Sequence, residues 1–301
     1  MDLYSIDIGD VMGNVIEADG IVVRYGDFIA VNGVALEVHE GEIFGLLGPN
    51  GAGKTTSVKV LTTMMKPTEG HIVINGVDTK EDTVKARSMI GVVQQHFAMD
   101  MDISVRENII SRAVLHKIPI KIAKERMMEL CDAIGLTPYL DRKGNELSGG
   151  WKRKTAIVCA LMHDPKILFL DEPTTGLDTQ SRHMLWDIVR IFNKRGATIF
   201  LTTHYMDEAE ALCDRISIIN KGKIIKTGTP TEMCRELGNI TVEYDGDDGS
   251  RGYAFFEDGD SAKQFYDSVS GKNAIMRGTH LEDVFLEETG RLNVKSLEGV
   301  L

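Results

Sequence analysis

The chain has 301 residues, of which 43% are hydrophobic and 26% charged, and its formal net charge is −11. A chain of this length can bury one large core and carry a small appended domain. The acidic balance argues against a nucleic-acid-binding protein, which needs a basic face to neutralise phosphates. The four cysteines lack CxxC spacing, which favours reduced, mostly buried thiols over a metal site or a disulfide framework.

Two features of the sequence bear on location. The first ten residues, MDLYSIDIGD, lack the basic start and apolar stretch of a signal peptide. No apolar run approaches a length of about 18 residues, which crossing a bilayer requires. We therefore expect a cytoplasmic protein whose role at a membrane would need a separate partner.

The N-terminal part predicts a small antiparallel sheet, then a strand, a glycine-rich loop and a helix. Alternating β-branched and polar residues, followed by one apolar run, predict strands at Val15–Tyr25, Val34–Val38 and Ile43–Leu47. A helix from Thr55 to Met65 follows the loop, and Pro67 with Gly70 is expected to end it.

The middle of the chain predicts a series of strands and helices interrupted by a helical insertion, about residues 96–160. Within the insertion, helical spacing runs up to Gly135, and of the adjacent Met127 and Met128 at least one should face inward. Buried strands are predicted at Ile90–Val93, Ile167–Leu170, Ala197–Leu201 and Arg215–Asn220. Strands that alternate with helices indicate an α/β fold with a parallel sheet covered on both faces.

The composition changes after about residue 240, where the acidic, glycine-rich run DGDDGS indicates an exposed turn. The segments TVEYD and GYAFFED, with short helices around residues 262–268 and 281–287, indicate a small α+β appendix. We therefore divide the chain into a large domain, residues 15–238, and a small C-terminal domain, residues 239–301.

A phosphate-binding loop lies between the third strand and the next helix. The segment GPNGAGKT fits the GxxxxGK[ST] pattern at each fixed position. Glycines allow successive backbone N–H groups to wrap phosphate oxygens, and the helix N-terminus adds its positive end. Lys54 is expected to bridge the β- and γ-phosphates, and Thr55 to ligate Mg²⁺. The candidate nucleotide-binding residues are Gly48, Pro49, Asn50, Gly51, Ala52, Gly53, Lys54, Thr55 and Thr56.

Two carboxylates, Asp171 and Glu172, follow the apolar strand at Ile167–Leu170. Ligands of parallel α/β sheets lie at the carboxyl edge of the strands. Asp171 is placed to hold Mg²⁺ through water, and Glu172 to act as general base or to orient the water that attacks the γ-phosphate. A nucleoside triphosphate and Mg²⁺ are therefore the expected cofactors.

The order of these and further motifs resembles that of the ABC ATPase family, over about residues 15–228. Leu147-Ser148-Gly149-Gly150 matches the signature loop of the family, after the helical insertion and before the acidic strand. Gln95 matches the Q-loop glutamine, with a one-residue ambiguity because Gln94 is adjacent. The other matches are Thr175-Gly176-Leu177-Asp178 for the D-loop, His204 for the switch histidine and Tyr25 for the aromatic that stacks on adenine.

The resemblance implies a P-loop NTPase with a RecA-like parallel-sheet core, an N-terminal antiparallel β-subdomain and a helical subdomain. It implies that Glu172, His204, Gln95 and Lys54 are catalytic and that Gln95 is also a magnesium ligand. It further implies a head-to-tail homodimer in the ATP-bound state. The turn at Ser148, Gly149 and Gly150 precedes a helix and so offers a second anion site, which together with Asp178 would serve the ATP of a partner subunit.

One position departs from the family pattern, since Trp151 stands where the family usually has Gln. A Trp supplies no amide acceptor but adds flat apolar area. We expect the dimer to form nonetheless, because Ser148 and the glycine backbone carry the phosphate contact. The alternative is that Trp151 only packs at a dimer or domain interface.

The segments GEIFGLLGPNGAGKTT and LEDVFLEETG resemble the daunorubicin-resistance-type branch, which works with ABC-2-type membrane subunits. This implies an exporter ATPase held on the inner face of the cell membrane by a separate permease, which would meet the region HFAMDMDISVREN. Two other functions stay open: a non-transport ABC ATPase of DNA repair or translation, and a non-catalytic nucleotide-binding regulator. No nucleic-acid partner is expected.

Overall fold

The computed structural model of the protein describes residues 13–95, 99–246 and 249–290. The strands are β1 (Asn14–Tyr25), β2 (Phe28–His39), β3 (Ile43–Leu47), β4 (Glu69–Ile74), β5 (Val77–Asp78), β6 (Ile90–Val93), β7 (Ile167–Asp171), β8 (Thr198–Thr203), β9 (Arg215–Asn220), β10 (Lys223–Gly228), β11 (Ile240–Asp245), β12 (Arg251–Phe256) and β13 (Ile275–Gly278). The helices are α1 (Lys54–Leu61), α2 (Thr83–Ser88), α3 (Val105–Leu115), α4 (Ile120–Ala133), α5 (Gly149–Leu161), α6 (Thr179–Lys194), α7 (Met206–Leu212), α8 (Pro230–Leu237), α9 (Gly259–Ser268) and α10 (Leu281–Glu288).

A six-stranded sheet in the order β10-β9-β3-β8-β7-β6 forms the centre of the molecule. Its strands are parallel except β10, which pairs antiparallel with β9 at the edge. Strands β3, β7 and β8 are buried along their whole length. Parallel strands need cover on both faces, as the apolar runs predicted.

The two faces of the central sheet are covered differently. On one face, Phe44, Phe169 and Phe200 lie in a core shared with α1 and with the antiparallel sheet β2-β1-β4-β5. On the other, Leu168 and Leu201 pack in a core shared with the helices, α3 to α6 among them. The carboxyl ends of β3, β7 and β8 therefore open between the antiparallel sheet and the helical subdomain.

Two N-terminal boundaries differ from those predicted. Helix α1 ends at Leu61, not Met65, because Thr63 takes a left-handed φ of 58° and Arg87 donates a hydrogen bond of 2.6 Å to its carbonyl. Strand β2 begins at Phe28, six residues before the prediction, because Gly33 (φ 72°) is accommodated within the strand rather than ending it.

The helical subdomain contains α3, α4 and α5, inside the predicted insertion. Met127 is 1% exposed and Met128 is 36% exposed, which confirms that one of the adjacent pair faces inward. Residues 96–98 of the segment expected to meet a membrane partner lie outside the described residues.

The C-terminal part forms the sheet β12-β11-β13, against which α9 packs. Helix α10 buries Leu281, Val284 and Phe285 and contacts α7 and α8 of the preceding part. The division near residue 238 stays a prediction. Residues 247–248 of the predicted acidic turn and the segment 291–301 lie outside the described residues.

All four cysteines are free thiols: Cys131 and Cys213 are buried, and Cys159 and Cys234 are half-buried. Burial raises the pKa of Cys131 and that of Cys159 to about 12, so both are protonated at neutral pH. Among the helices of the described ranges, none is both long and apolar enough to span a bilayer.

Candidate functional site

The phosphate loop connects the carboxyl end of β3 to the start of α1, and its glycines are set by the neighbouring backbone. A Cβ atom on Gly48 would lie 2.4 Å from the carbonyl oxygen of Ile219. Gly53 has a φ of 111°, and a Cβ there would lie 2.7 Å from the carbonyl oxygen of Ala30. Neither position can hold a side chain, so the loop closes tightly with its backbone available to a phosphate.

Lys54 is held beneath this loop, with only 4% of its surface exposed. Its Nζ donates to the carbonyl oxygens of Gly48 at 2.8 Å and Pro49 at 3.2 Å. It also lies 3.0 Å from Oε1 of Glu172. The ammonium group therefore joins the loop to the acidic strand and faces the anion site from below.

Glu172 is the meeting point of the predicted catalytic residues. Its Oε2 accepts hydrogen bonds from Gln95 Nε2 and Thr175 Oγ1, each at 3.2 Å, and lies 3.5 Å from His204 Nδ1. Burial raises the pKa of Glu172, but the Lys54 ammonium and the other donors outweigh it and bring the pKa below its usual value. The carboxylate is thus ionised at neutral pH and able to accept a proton.

The structure separates the two candidate glutamines of the Q-loop. The Gln95 amide reaches Glu172, whereas Gln94 Nε2 points to Met64 Sδ at 3.3 Å. Of the two glutamines, the structure therefore brings Gln95 to the acidic residues, and its role stays a prediction.

Asp171 lies at the end of β7 with 4% of its surface exposed. Its Oδ1 accepts from Thr202 Oγ1 at 2.7 Å and lies 3.4 Å from Thr55 Oγ1. Thr202 Oγ1 also lies 3.0 Å from the backbone N–H of Glu172, so it orders both acidic residues. Sequence reasoning missed Thr202; the signal was a polar residue near the carboxyl end of an apolar strand.

The oxygen atoms of Thr55 and Asp171 suit a hard cation such as Mg²⁺. Within the described ranges, no group of three or more His, Cys, Asp or Glu side chains is arranged to hold a metal ion. A magnesium ion held by Thr55, Asp171 and Gln95 would take its remaining ligands from phosphate oxygens and water, as Mg²⁺ in nucleotide sites does.

An open cleft of about 530 Å³ contains these groups. It is lined by Tyr25, Phe28, Ala30, Asn50, Gly51, Gly53, Lys54, Thr55, Thr56, Gln95, Glu172, Thr175 and His204. Two aromatic rings at its edge are largely exposed, Tyr25 at 48% and Phe28 at 64%. Only Tyr25 was predicted to stack on adenine. Phe28 lies across the tight β1–β2 turn from it, and the spacing of residues in the sequence did not place Phe28 at the cleft.

The signature turn lies apart from this cleft. Ser148 is the N-cap of α5 and is exposed, and its side chain makes no capping hydrogen bond. None of Ser148, Gly149 and Gly150 is among the described residues that line the cleft. The turn therefore presents a helix N-terminus to solvent rather than to the nucleotide site of its own chain.

The D-loop lies against the signature turn. Asp178 is the exposed N-cap of α6 and accepts hydrogen bonds from Ser181 N at 2.9 Å and Ser181 Oγ at 2.8 Å. A Cβ on Gly149 would lie 3.3 Å from Leu177 Cδ2, and one on Gly150 3.1 Å from Ser181 Oγ. Two helix N-termini thus share one patch of surface.

Trp151 packs inside the helical subdomain. Its ring stacks on Tyr139 with centroids 3.9 Å apart, and Lys154 Nζ lies 4.3 Å from its centroid. Lys154 also donates to the carbonyl oxygen of Ile134 at 3.0 Å. The indole therefore has a packing role within its own chain, on the helix that begins at Ser148.

Replacing Trp151 by Gln is expected to leave steady-state ATP turnover within a few-fold of the unmodified protein. The thermal stability should fall, because the aromatic and cation–π contacts contribute about 1 kcal/mol each. Phosphate-release kinetics and thermal denaturation measure the two effects. A large gain in turnover on introducing Gln would show that the indole impairs the signature turn.

Comparison with known proteins places the chain in a family. Residues 31–175 match the ABC transporter family. The Nod factor export ATP-binding protein I of Burkholderia lata is 38% identical over 287 residues, which span 89% of this chain and 94% of that protein. The chain is an ATP-binding subunit of the ABC transporter family. As such it binds nucleotide and hydrolyses ATP, as the motifs predicted.

Other members support the same assignment of this ABC ATPase. The linearmycin resistance ATP-binding protein of Bacillus subtilis is 39% identical over 227 residues, covering 75% of this chain and 73% of that protein. The structure of cbiO1 from Clostridium perfringens, part of the ABC transporter complex cbiONQ, is 27% identical with a TM-score of 0.68, covering 74% of this chain and 94% of that chain. The predicted fold class is therefore confirmed.

A further solved structure is a dimer. It is the post-hydrolysis state of the ATP-binding cassette MJ0796 bound to ADP and Pi. It is 26% identical, with a TM-score of 0.64, and the match covers 71% of this chain and 98% of that chain.

Proposed function

We propose that this ABC ATPase powers export through a separate membrane subunit, by closing a head-to-tail homodimer around MgATP and reopening it after hydrolysis. The observation that carries the proposal is the presence of two turns at helix N-termini, one inside the nucleotide cleft and one outside it. The phosphate loop closes over Lys54 inside the cleft, whereas the Ser148 turn faces solvent outside it. A turn that cannot serve its own nucleotide fits the nucleotide of a second subunit.

In the nucleotide cleft, Tyr25 and Phe28 offer exposed aromatic faces to the adenine base, and the backbone of the loop wraps the phosphates. Lys54 already lies beside the loop, so its ammonium exchanges the Glu172 carboxylate for phosphate oxygens when ATP binds. Thr55, Asp171 and Gln95 would hold Mg²⁺, which neutralises charge on the phosphate oxygens.

Glu172 is then released to act on water. An ionised carboxylate that is freed from Lys54 but still hydrogen-bonded by Gln95 and Thr175 is a positioned proton acceptor. His204, 3.5 Å from the same oxygen, would orient the water or donate to the γ-phosphate. The roles of these residues follow from their shared position at one carboxylate.

At the dimer interface, Ser148 and the backbone N–H groups of Gly149 and Gly150 would contact the γ-phosphate held by the partner subunit. Asp178, beside this turn, would face the partner across the same interface. Hydrolysis removes the γ-phosphate that both subunits share, so the dimer opens. That alternation would move the membrane subunit.

The direction of transport is inferred from relatives. One is named for Nod factor export and another for linearmycin resistance, and both fit outward movement of a substrate. Purification of the tagged protein from native membranes in mild detergent tests the proposal. We expect a polytopic membrane protein to co-purify in stoichiometric amount. Stoichiometric ribosomal or DNA-bound material would instead support a non-transport ABC ATPase.

Removal of the two aromatic rings at the edge of the cleft, Tyr25 and Phe28, should weaken ATP binding more than it slows catalysis. Tyr25→Ala is expected to raise the KM for ATP about tenfold, and the double change with Phe28→Ala further, because stacking on a base contributes about 1–3 kcal/mol. The kcat should stay within about twofold, since the phosphate groups bind elsewhere. Tyr266→Ala, on α9 and away from the cleft lining, is the matched control. An unchanged KM in the double variant would refute aromatic stacking.

A further inference from the structure

We infer that Arg153 is a positioning residue that links the signature helix α5 to the Q-loop of the same chain. Through this link, contact between Ser148 and a partner's ATP would change the position of Gln95. The inference rests on the proposed function, because it needs the Ser148 turn to meet a second nucleotide. It adds an intrachain connection that none of the sequence motifs indicated.

Arg153 is the largest fully buried side chain of the described residues, with 2% of its surface exposed. Its Nη1 donates to the carbonyl oxygen of Gln94 at 2.7 Å, and its Nη2 to that of Gln95 at 3.1 Å. The two ends of the guanidinium group thus donate hydrogen bonds to two successive backbone carbonyls. The planar guanidinium fork suits this geometry and an ammonium group does not.

The surroundings of Arg153 connect it to the catalytic strand. Burial, the largest influence, lowers its pKa, while the negative charges of Asp171 and Glu208 act in the opposite direction. Glu208 is fully buried on α7, and Trp186 Nε1 donates to its Oε1 at 3.2 Å. The guanidinium therefore lies in the field of carboxylates from β7 and α7 as well as against the Q-loop.

The chain of contacts is short. Ser148 occupies the N-cap position of α5, and Arg153 lies on the second turn of that helix. Arg153 holds the backbone at Gln95, and the Gln95 side chain donates to Glu172 at 3.2 Å. A tilt of α5 on contact with a partner's phosphate would therefore shift the amide that contacts the catalytic carboxylate. A small displacement of the Gln95 amide would slow hydrolysis strongly, since a misplacement of about 1 Å can change a rate by about 100-fold.

The test compares Arg153→Met and Arg153→Lys with Lys154→Met in the full chain. Lys154 is the matched control, because it is also a buried basic residue of α5 bonded to a backbone carbonyl, but that carbonyl belongs to Ile134. Both Met variants should lose thermal stability. We expect Arg153→Met to lower kcat about 10- to 100-fold with the KM for ATP within about twofold, and Lys154→Met to change kcat less than about threefold.

A second readout is the concentration of Mg²⁺ that gives half-maximal turnover. It should rise in Arg153→Met and not in Lys154→Met, because Gln95 is the proposed magnesium ligand that Arg153 positions. Should Arg153→Met fail to fold, Arg153→Lys keeps the charge but loses the fork, and its kcat should lie between the other two. Wild-type kcat and Mg²⁺ dependence in Arg153→Lys, or equal kcat losses in the two Met variants, would overturn the inference.

ATP-dependent dimerisation of Glu172→Gln, with and without Arg153→Met, separates this inference from the proposed function. Dimers in both proteins, together with unchanged kcat on replacing Arg153 alone, would remove only the role of Arg153. Absence of a dimer in the single Glu172→Gln variant would remove the proposed function itself.

Discussion

Glu172→Gln is expected to lower the rate of ATP hydrolysis by about 10²- to 10⁴-fold, the usual contribution of a general base. The amide keeps the size of the carboxylate and can still accept from Thr175, but it takes no proton from water. The substitution also removes the ion pair in which Lys54 Nζ lies 3.0 Å from Glu172 Oε1. The ammonium group is then free to bind phosphate, so the affinity for ATP should not fall. Phosphate release and equilibrium nucleotide binding measure the two effects, and ATP-bound dimers should accumulate.

Glu42→Gln is the control for loss of a buried carboxylate. Glu42 is 7% exposed and pairs with Arg215 at 3.1 Å, but it does not line the nucleotide cleft. We expect lower thermal stability and unchanged turnover in this variant. Normal MgATP hydrolysis by Glu172→Gln would contradict the assignment of the base.

Ser148→Asp is expected to lower turnover about 100-fold while leaving ATP binding to the single subunit unchanged. An aspartate is as good an N-cap as serine, so α5 should remain folded. Its negative charge would face the γ-phosphate of the partner, and opposed like charges at an interface cost several kcal/mol. Steady-state turnover, nucleotide titration and sedimentation with MgATP measure rate, affinity and dimer formation.

Ser148→Asn separates charge from shape, because it is an equally good N-cap without a charge. It should retain most of the dimerisation that Ser148→Asp loses. Equal behaviour of the two variants, with dimers intact in both, would mean that the turn does not approach a phosphate.

The elements that local pattern dictates were predictable from the sequence. Apolar runs such as Ile43–Leu47 and Ile90–Val93 became strands with the predicted boundaries, because a buried parallel strand is apolar throughout. The phosphate loop was recognisable because a Cβ atom at Gly48 or Gly53 would clash with a neighbouring backbone carbonyl, so both positions require glycine. Function followed from the order of motifs rather than from any single residue.

Contacts made across the fold were not predictable in the same way. Thr202 orders the acidic pair from the neighbouring strand, 31 residues from Asp171. Arg153 reaches the Q-loop across 58 residues, and a basic residue one turn into a helix carries no signal of that target. The early end of α1 likewise depends on Arg87, which binds Thr63 from another helix. Such pairings depend on tertiary structure, which periodicity does not encode.

The most direct test of the account is the structure of the Glu172→Gln protein with MgATP. We predict a symmetric pair in which Ser148 Oγ and the N–H of Gly150 from one subunit lie about 3 Å from the γ-phosphate in the other subunit's cleft. ATP contacted by a single chain, with the Ser148 turn remote from any nucleotide, would contradict the proposal that both subunits of the dimer bind each ATP.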